Sequence, residues 1–69
     1  MIEIKLKDGI TITEETVLHI FPDGSKKQIY EYFIGDTFIF GVEKRFSLDD
    51  LEALYSNGYF DTFITKGDD

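Results

Sequence analysis

The chain has no cysteine and only one histidine among its 69 residues. Without cysteine there is neither a disulfide framework nor thiolate chemistry, and disulfides give no sign of secretion. With one histidine, any imidazole catalysis rests on His19, which alternates with Val17 and Phe21 in "VLHIF". A packed or half-exposed strand histidine is the ordinary reading of that placement. No apolar run approaches the roughly 18 residues of a membrane span, and the leading "MIEIKLKDG" reads as charged strand, not signal peptide. A soluble, cytoplasmic protein is therefore expected. Walker loops, dinucleotide fingerprints and nucleophile elbows are absent too. Asp49, Asp50 and Glu52 crowd together but lack the ligand spacing of an EF-hand loop, so no metal or cofactor is expected. The sequence predicts a protein that is not an enzyme.

Positive charge is also scarce. Seven Lys and Arg stand against fourteen Asp and Glu, a net charge of −7. Phosphate binders need a basic footprint, so direct nucleic-acid binding is disfavoured. The imbalance is lopsided, about −2 over residues 1–35 and −5 over residues 36–69. Its bland reading is solubility. Its sharper reading is an electrostatic lure for a basic partner, such as an enzyme that normally binds DNA. Lys26-Lys27 and Lys44-Arg45 sit at segment ends, where solvated charge is the ordinary reading.

Aromatic residues, in contrast, are plentiful. Seven Phe and four Tyr within 42% hydrophobic residues mark a globular chain, and the length allows one domain. A chain this short buries a modest fraction of its surface, so eleven rings predict a subunit or partner interface and a homodimer. Tyr30, Tyr32 and Phe33 could form a stacking platform for single-stranded nucleic acid; in an acidic chain, core and interface are the better reading.

The order of elements follows from periodicity. "IEIKLK" alternates Ile2, Ile4 and Leu6 against Glu3, Lys5 and Lys7, the pattern of a half-buried strand. Asp8-Gly9 fits a two-residue type I′ turn into "ITIT". "TVLHIF" and "KQIYEYFI" predict a second hairpin about Pro22-Asp23-Gly24, and Gly35-Asp36 a tight turn into "TFIFG". "FSLDDLEALYSNG" predicts one helix, with Ser47 as N-cap, Asp50 completing a capping box, a Phe46–Leu51 staple and Gly58 beyond the C-terminus. Leu48, Leu51, Leu54 and Tyr55 form its apolar stripe, Glu52 borders that stripe, and Asp49 and Asp50 face away. "YFDTFIT" reads as a last strand. The expected fold is α+β, a small antiparallel sheet with one covering helix.

Two stretches together carry a resemblance. Asp23-Gly24, Lys27, Gln28, Tyr30, Glu31 and Tyr32 follow a DG turn and K-Q-x-Y-E-Y. Ser47, Leu48, Asp50, Glu52, Leu54, Tyr55 and Asn57 follow S-L-x-D-[F]-E-x-L-Y-x-N. In that order the pair resembles the small acidic uracil-DNA glycosylase inhibitor of Bacillus phages that replicate by protein priming. The resemblance covers residues 16–34 and 46–57. "FIGDTFIFGVEKR" intervenes where the family joins strand to helix almost directly, and Leu51 stands where the family has Phe. It implies an inhibitor-like core over residues 14–65, an extra N-terminal hairpin at residues 1–13 and a polar tail at 66–69.

The resemblance also implies a homodimer that mimics DNA in the cleft of a host glycosylase and captures the leucine the enzyme wedges into the minor groove. The purpose would be to protect uracil-containing phage DNA from repair in the host bacterial cytoplasm. Glu31, Leu51, Glu52 and Tyr55 would be the partner-binding residues by position, with Asp49 and Asp50 free for the same surface. Two other readings stand beside it: a DNA mimic aimed at a restriction or CRISPR nuclease, and a plain protein-interaction module whose acidity only confers solubility.

Overall fold

A computed structural model describes residues 1–65 and places four strands and two helices in them. Strands β1 (Ile2–Lys5), β2 (Thr11–Ile20), β3 (Lys26–Ile34) and β4 (Thr37–Val42) form an antiparallel meander in the order β1-β2-β3-β4. Helix α1 (Leu48–Ser56) and the short helix α2 (Asp61–Thr65) follow. This is a small α+β fold. The segment 66–69 expected as a polar tail lies outside the described residues.

The core is small: Leu6, Ile12, Tyr32, Leu51 and Phe60 are its fully buried side chains. Burying each contributes about 1.5–3 kcal/mol relative to exposure. Leu6 and Ile12 come from the first hairpin, so residues 1–13 are a wall of the core and no appendage. Alternation decides the faces: Ile12, Glu14 and Tyr32 turn inward, while Thr13, Glu15, Glu31 and Phe33 lie on the other face of the sheet.

The turns differ from the sequence expectation in one place. Leu6 and Ile10 close a three-residue loop, with the Gly9 N–H donating to Leu6 O at 2.9 Å and the Leu6 N–H to Ile10 O at 2.8 Å. Only Gly9, not Asp8, has positive φ, which excludes a type I′ turn. The second hairpin turns as expected about Pro22-Asp23-Gly24, Gly24 having φ +90°. Asp23 Oδ1 accepts from the Ser25 N–H (2.8 Å) and hydroxyl (2.7 Å), and these bonds hold its carboxyl below the usual range. "ITIT" and "TVLHIF" are one continuous strand, since the pair Glu14-Glu15 does not interrupt β2.

Helix α1 starts where its cap dictates. Ser47 Oγ accepts from the Asp50 N–H (3.1 Å) and Asp50 Oδ2 accepts from the Ser47 N–H (3.2 Å), a complete capping box. Phe46, before the cap, and Leu51, four residues on from Ser47, both join the core. Leu48, assigned by periodicity to the apolar stripe, is half exposed and lies outside the core cluster.

The end of the chain corrects the sequence reading most. The Gly58 N–H donates to Tyr55 O (3.0 Å) and the Tyr59 N–H to Leu54 O (3.0 Å), a Schellman motif that reverses the chain. Asp61–Thr65 is then helix and not strand. "FDTFI" alternates, but it also places Phe60, Phe63 and Ile64 at spacings of three and four, and Phe60 is fully buried with the other two packed against the core. A run this short fits both periods, and the turn before it selects the helix.

Replacing Ser47 by Ala removes the cap without touching the core. It should lower stability by about 1 kcal/mol, read as a lower urea midpoint at equal protein concentration.

Candidate protein-interaction site

Among the described residues one acid is buried. Glu14 is 1% exposed in the middle of β2. Its Oε2 accepts from the Tyr32 hydroxyl at 2.6 Å, and the Arg45 guanidinium reaches both oxygens, Nε at 3.0 and 3.1 Å and a terminal nitrogen at 2.9 Å. The Tyr32 hydroxyl in turn accepts from the Phe46 N–H at 3.0 Å. Burial would push the Glu14 carboxyl up; the bonds from Arg45 and Tyr32 outweigh it and hold the carboxyl below the usual carboxylate range. Tyr32 is pushed up to about 12, by burial first and by Glu14 second. Arg45, expected as a solvated charge, is therefore a structural cation.

A second latch joins helix to hairpin. Glu52 Oε2 accepts from the Lys7 backbone N–H at 2.9 Å, and the Tyr55 hydroxyl donates to Asp8 Oδ2 at 2.8 Å. That bond to Asp8 raises the Tyr55 phenol above its ordinary value. Two of the six residues singled out for a partner thus hold the β1–β2 turn against α1. Leu51 is fully buried beneath them. Asp49 and Asp50 are exposed on the first turn of α1, and Asp50 shares its carboxylate with the cap. Glu31 is half-buried on the opposite face of the sheet. The six residues do not converge on one surface.

Two acidic regions remain open to solvent. One is the start of α1, beside a broad depression of about 690 Å³ lined by Gly41, Val42, Glu43, Lys44, Arg45, Phe46 and Asp50. The other is the outer sheet face, where Glu15 stands directly opposite Glu31. Only two ion pairs occur among the described residues, Lys27–Glu43 at 3.0 Å and Arg45–Glu14. A like-charge pair across strands is destabilising unless water or a cation relieves it. His19 is exposed opposite Lys27 near the hairpin tip. Tyr32 is sealed in the core while Phe33 lies on the other face, so Tyr30, Tyr32 and Phe33 form no common stacking surface. No group of three His, Cys, Asp or Glu placed to hold a metal exists among the described residues, and no described helix is long and apolar enough to cross a membrane.

No family model, curated protein or solved structure matches the chain.

The clamp makes stability depend on pH in two directions. Glu14 has a lowered folded-state value, so its contribution is complete above the ordinary Glu range and is lost as pH falls through the folded value. Tyr32 has a raised one, so its contribution is complete below 10.0 and is lost as pH rises towards about 12. Urea midpoints should therefore fall at both extremes. Arg45→Ala, which strands the buried carboxylate, should reverse the acid limb, stability rising as Glu14 takes up a proton.

Glu52→Ala should cost about 1 kcal/mol through the lost acceptor for Lys7, and Glu52→Gln should recover most of it. Urea melts of both variants against parent check this.

Proposed function

We propose that this chain is a non-enzymatic acidic inhibitor that offers its carboxylates to the basic DNA-binding cleft of a uracil-DNA glycosylase. The observation that carries the reading is the surplus of carboxylates without cations. Glu15 and Glu31 face each other with no ion pair, and Asp49 is exposed on α1. A basic cleft would relieve that repulsion and gain the complementary field. The two motifs in "DGSKKQIYEY" and "FSLDDLEALYSNG" supply the target class through the resemblance. The inhibitor acts as a homodimer in the host bacterial cytoplasm, where it shields uracil-containing phage DNA.

Residue roles shift within this reading. Glu52 and Tyr55 serve by fixing the shape of α1 against the first hairpin, and Leu51 by anchoring the helix from below. Direct contact falls to Asp49 and Asp50 of one protomer and, since Glu31 lies on the opposite sheet face, to Glu31 of its mate. The apolar wall offered to the enzyme's leucine is Leu48, the half-exposed leucine of the helix.

Uracil excision from a labelled oligonucleotide, with the protein titrated in, tests the reading. Parent protein should inhibit, and less so as salt rises. Asp49→Ala and Glu31→Ala should each weaken inhibition roughly fivefold at low salt, mainly by slowing association, without lowering the urea midpoint, which for Glu31→Ala should rise as the repulsion from Glu15 is removed. Excision that proceeds untouched at large molar excess ends the glycosylase reading.

A further inference from the structure

The sheet leaves half of its longest strand without a neighbour. β1 pairs with β2 only from Thr11 to Glu14, whereas β3 pairs with β2 as far as Ile20. Beyond Glu14, β2 therefore has an open edge. Its polarity follows from the ladder. The Phe21 N–H donates to Ser25 O at 2.8 Å, so residue 21 bonds towards β3, and with it His19 and Val17. Thr16, Leu18 and Ile20 then turn their N–H and C=O groups outward.

Nothing blunts this edge. Folded proteins protect exposed strands with lysine, proline, bulges or inward-pointing charge. No charged residue lies between Glu15 and Asp23, and the register between β2 and β3 runs without a shift. Leu18 is 58% exposed and Ile20 67%, both on the face that the helices cover elsewhere.

We propose that the β2 edge pairs with the β2 edge of a second copy of this chain, antiparallel about Leu18, joining two four-stranded sheets into one. Charge fixes where two copies can meet. Each copy carries −7, so two copies repel over most of their surface, and the stretch from Thr16 to Pro22 is neutral. Symmetry does the rest. An antiparallel pair about a two-fold axis needs only one sequence, and it sets Thr16 against Ile20 of the second copy and Leu18 against its own mate. About six backbone hydrogen bonds form, from three residues on each side. The added strand stops opposite Thr16, short of Glu14, so β1 keeps its partner. The interface would serve the dimer of the inhibitor reading, but it rests on edge geometry and is tested without any glycosylase.

The test is sedimentation equilibrium of the full chain at micromolar concentration, with amide exchange followed residue by residue. Parent should sediment at twice 8.0 kDa, and the Leu18 and Ile20 N–H groups should gain protection as concentration rises. Leu18→Lys places two cations face to face and should weaken the dimer about tenfold or more. Leu18 lies outside the core cluster, so the urea midpoint of the monomer should stay put. Leu18→Cys supplies the chain's only thiol and should be joined to its mate by a short bis-maleimide, whereas Ala53→Cys, on α1, should not. A parent at 8.0 kDa throughout overturns the proposal and leaves the edge to a strand from another protein. A dimer that survives Leu18→Lys and gives no Leu18→Cys cross-link overturns it as well.

Discussion

One carboxylate under the sheet governs how the two halves of this chain meet. Glu14 belongs to β2, Tyr32 to β3, and Arg45 to the segment that carries the chain from β4 to α1. A buried ion pair is weak evidence of net stability, because desolvation offsets most of the attraction. Its effect here is on geometry. Arg45 is 53% exposed while Glu14 is 1% exposed, so the solvated cation reaches in to a charge that cannot move out. Tyr32 passes the constraint on, donating to Glu14 and accepting from Phe46 N–H. Phe46 immediately precedes the cap at Ser47, so the start of α1 is set by a glutamate some thirty residues earlier.

That clamp was invisible to a reading of pattern. Local chemistry was legible: the Ser47–Asp50 box, the Pro22-Asp23-Gly24 turn and the Gly58 reversal each need residues only a few positions apart. Glu14 continues the face of Ile12, and an acid in an apolar register was the available signal, but its partners lie 18 and 31 residues away. The same holds for Glu52 with Lys7 and Tyr55 with Asp8, pairs separated by 45 and 47 residues. Helical period located Glu52 at the margin of the apolar stripe. It could not show that a backbone N–H of the first hairpin waits there. At the end of the chain, "FDTFI" satisfied two periods, and the Schellman turn decided between them.

Two populations stand out among the acids. Glu14, Asp23, Asp50, Glu52 and Asp8 each accept a defined bond that shapes the fold. Glu15, Glu31 and Asp49 accept no such bond among the described residues, and two of them oppose each other across a ladder. Solubility alone would favour dispersed charge. Placing Glu15 against Glu31 costs stability that a dispersed arrangement would keep, and this asymmetry supports a cationic partner over simple solvation.

The remaining tension is between a core at one end and a ribbon at the other. Leu6, Ile12, Tyr32, Leu51 and Phe60 cluster beneath the helices, while β2 and β3 run on past them with Leu18 and Ile20 uncovered. The radius of gyration, 13.6 Å, exceeds the about 11 Å of a compact chain of this length. An isolated two-stranded ribbon is marginal in water. Its supports here are the Asp23–Ser25 bonds at the tip, the Val17–Ile29 pair and the exposed Lys27–Glu43 bridge, and such a bridge is worth little. An arm so lightly held gains most from a neighbour along its bare edge, where backbone groups find partners and leucine and isoleucine leave water together. The carboxylates lie outside that neutral stretch, so pairing there leaves them open to a basic surface.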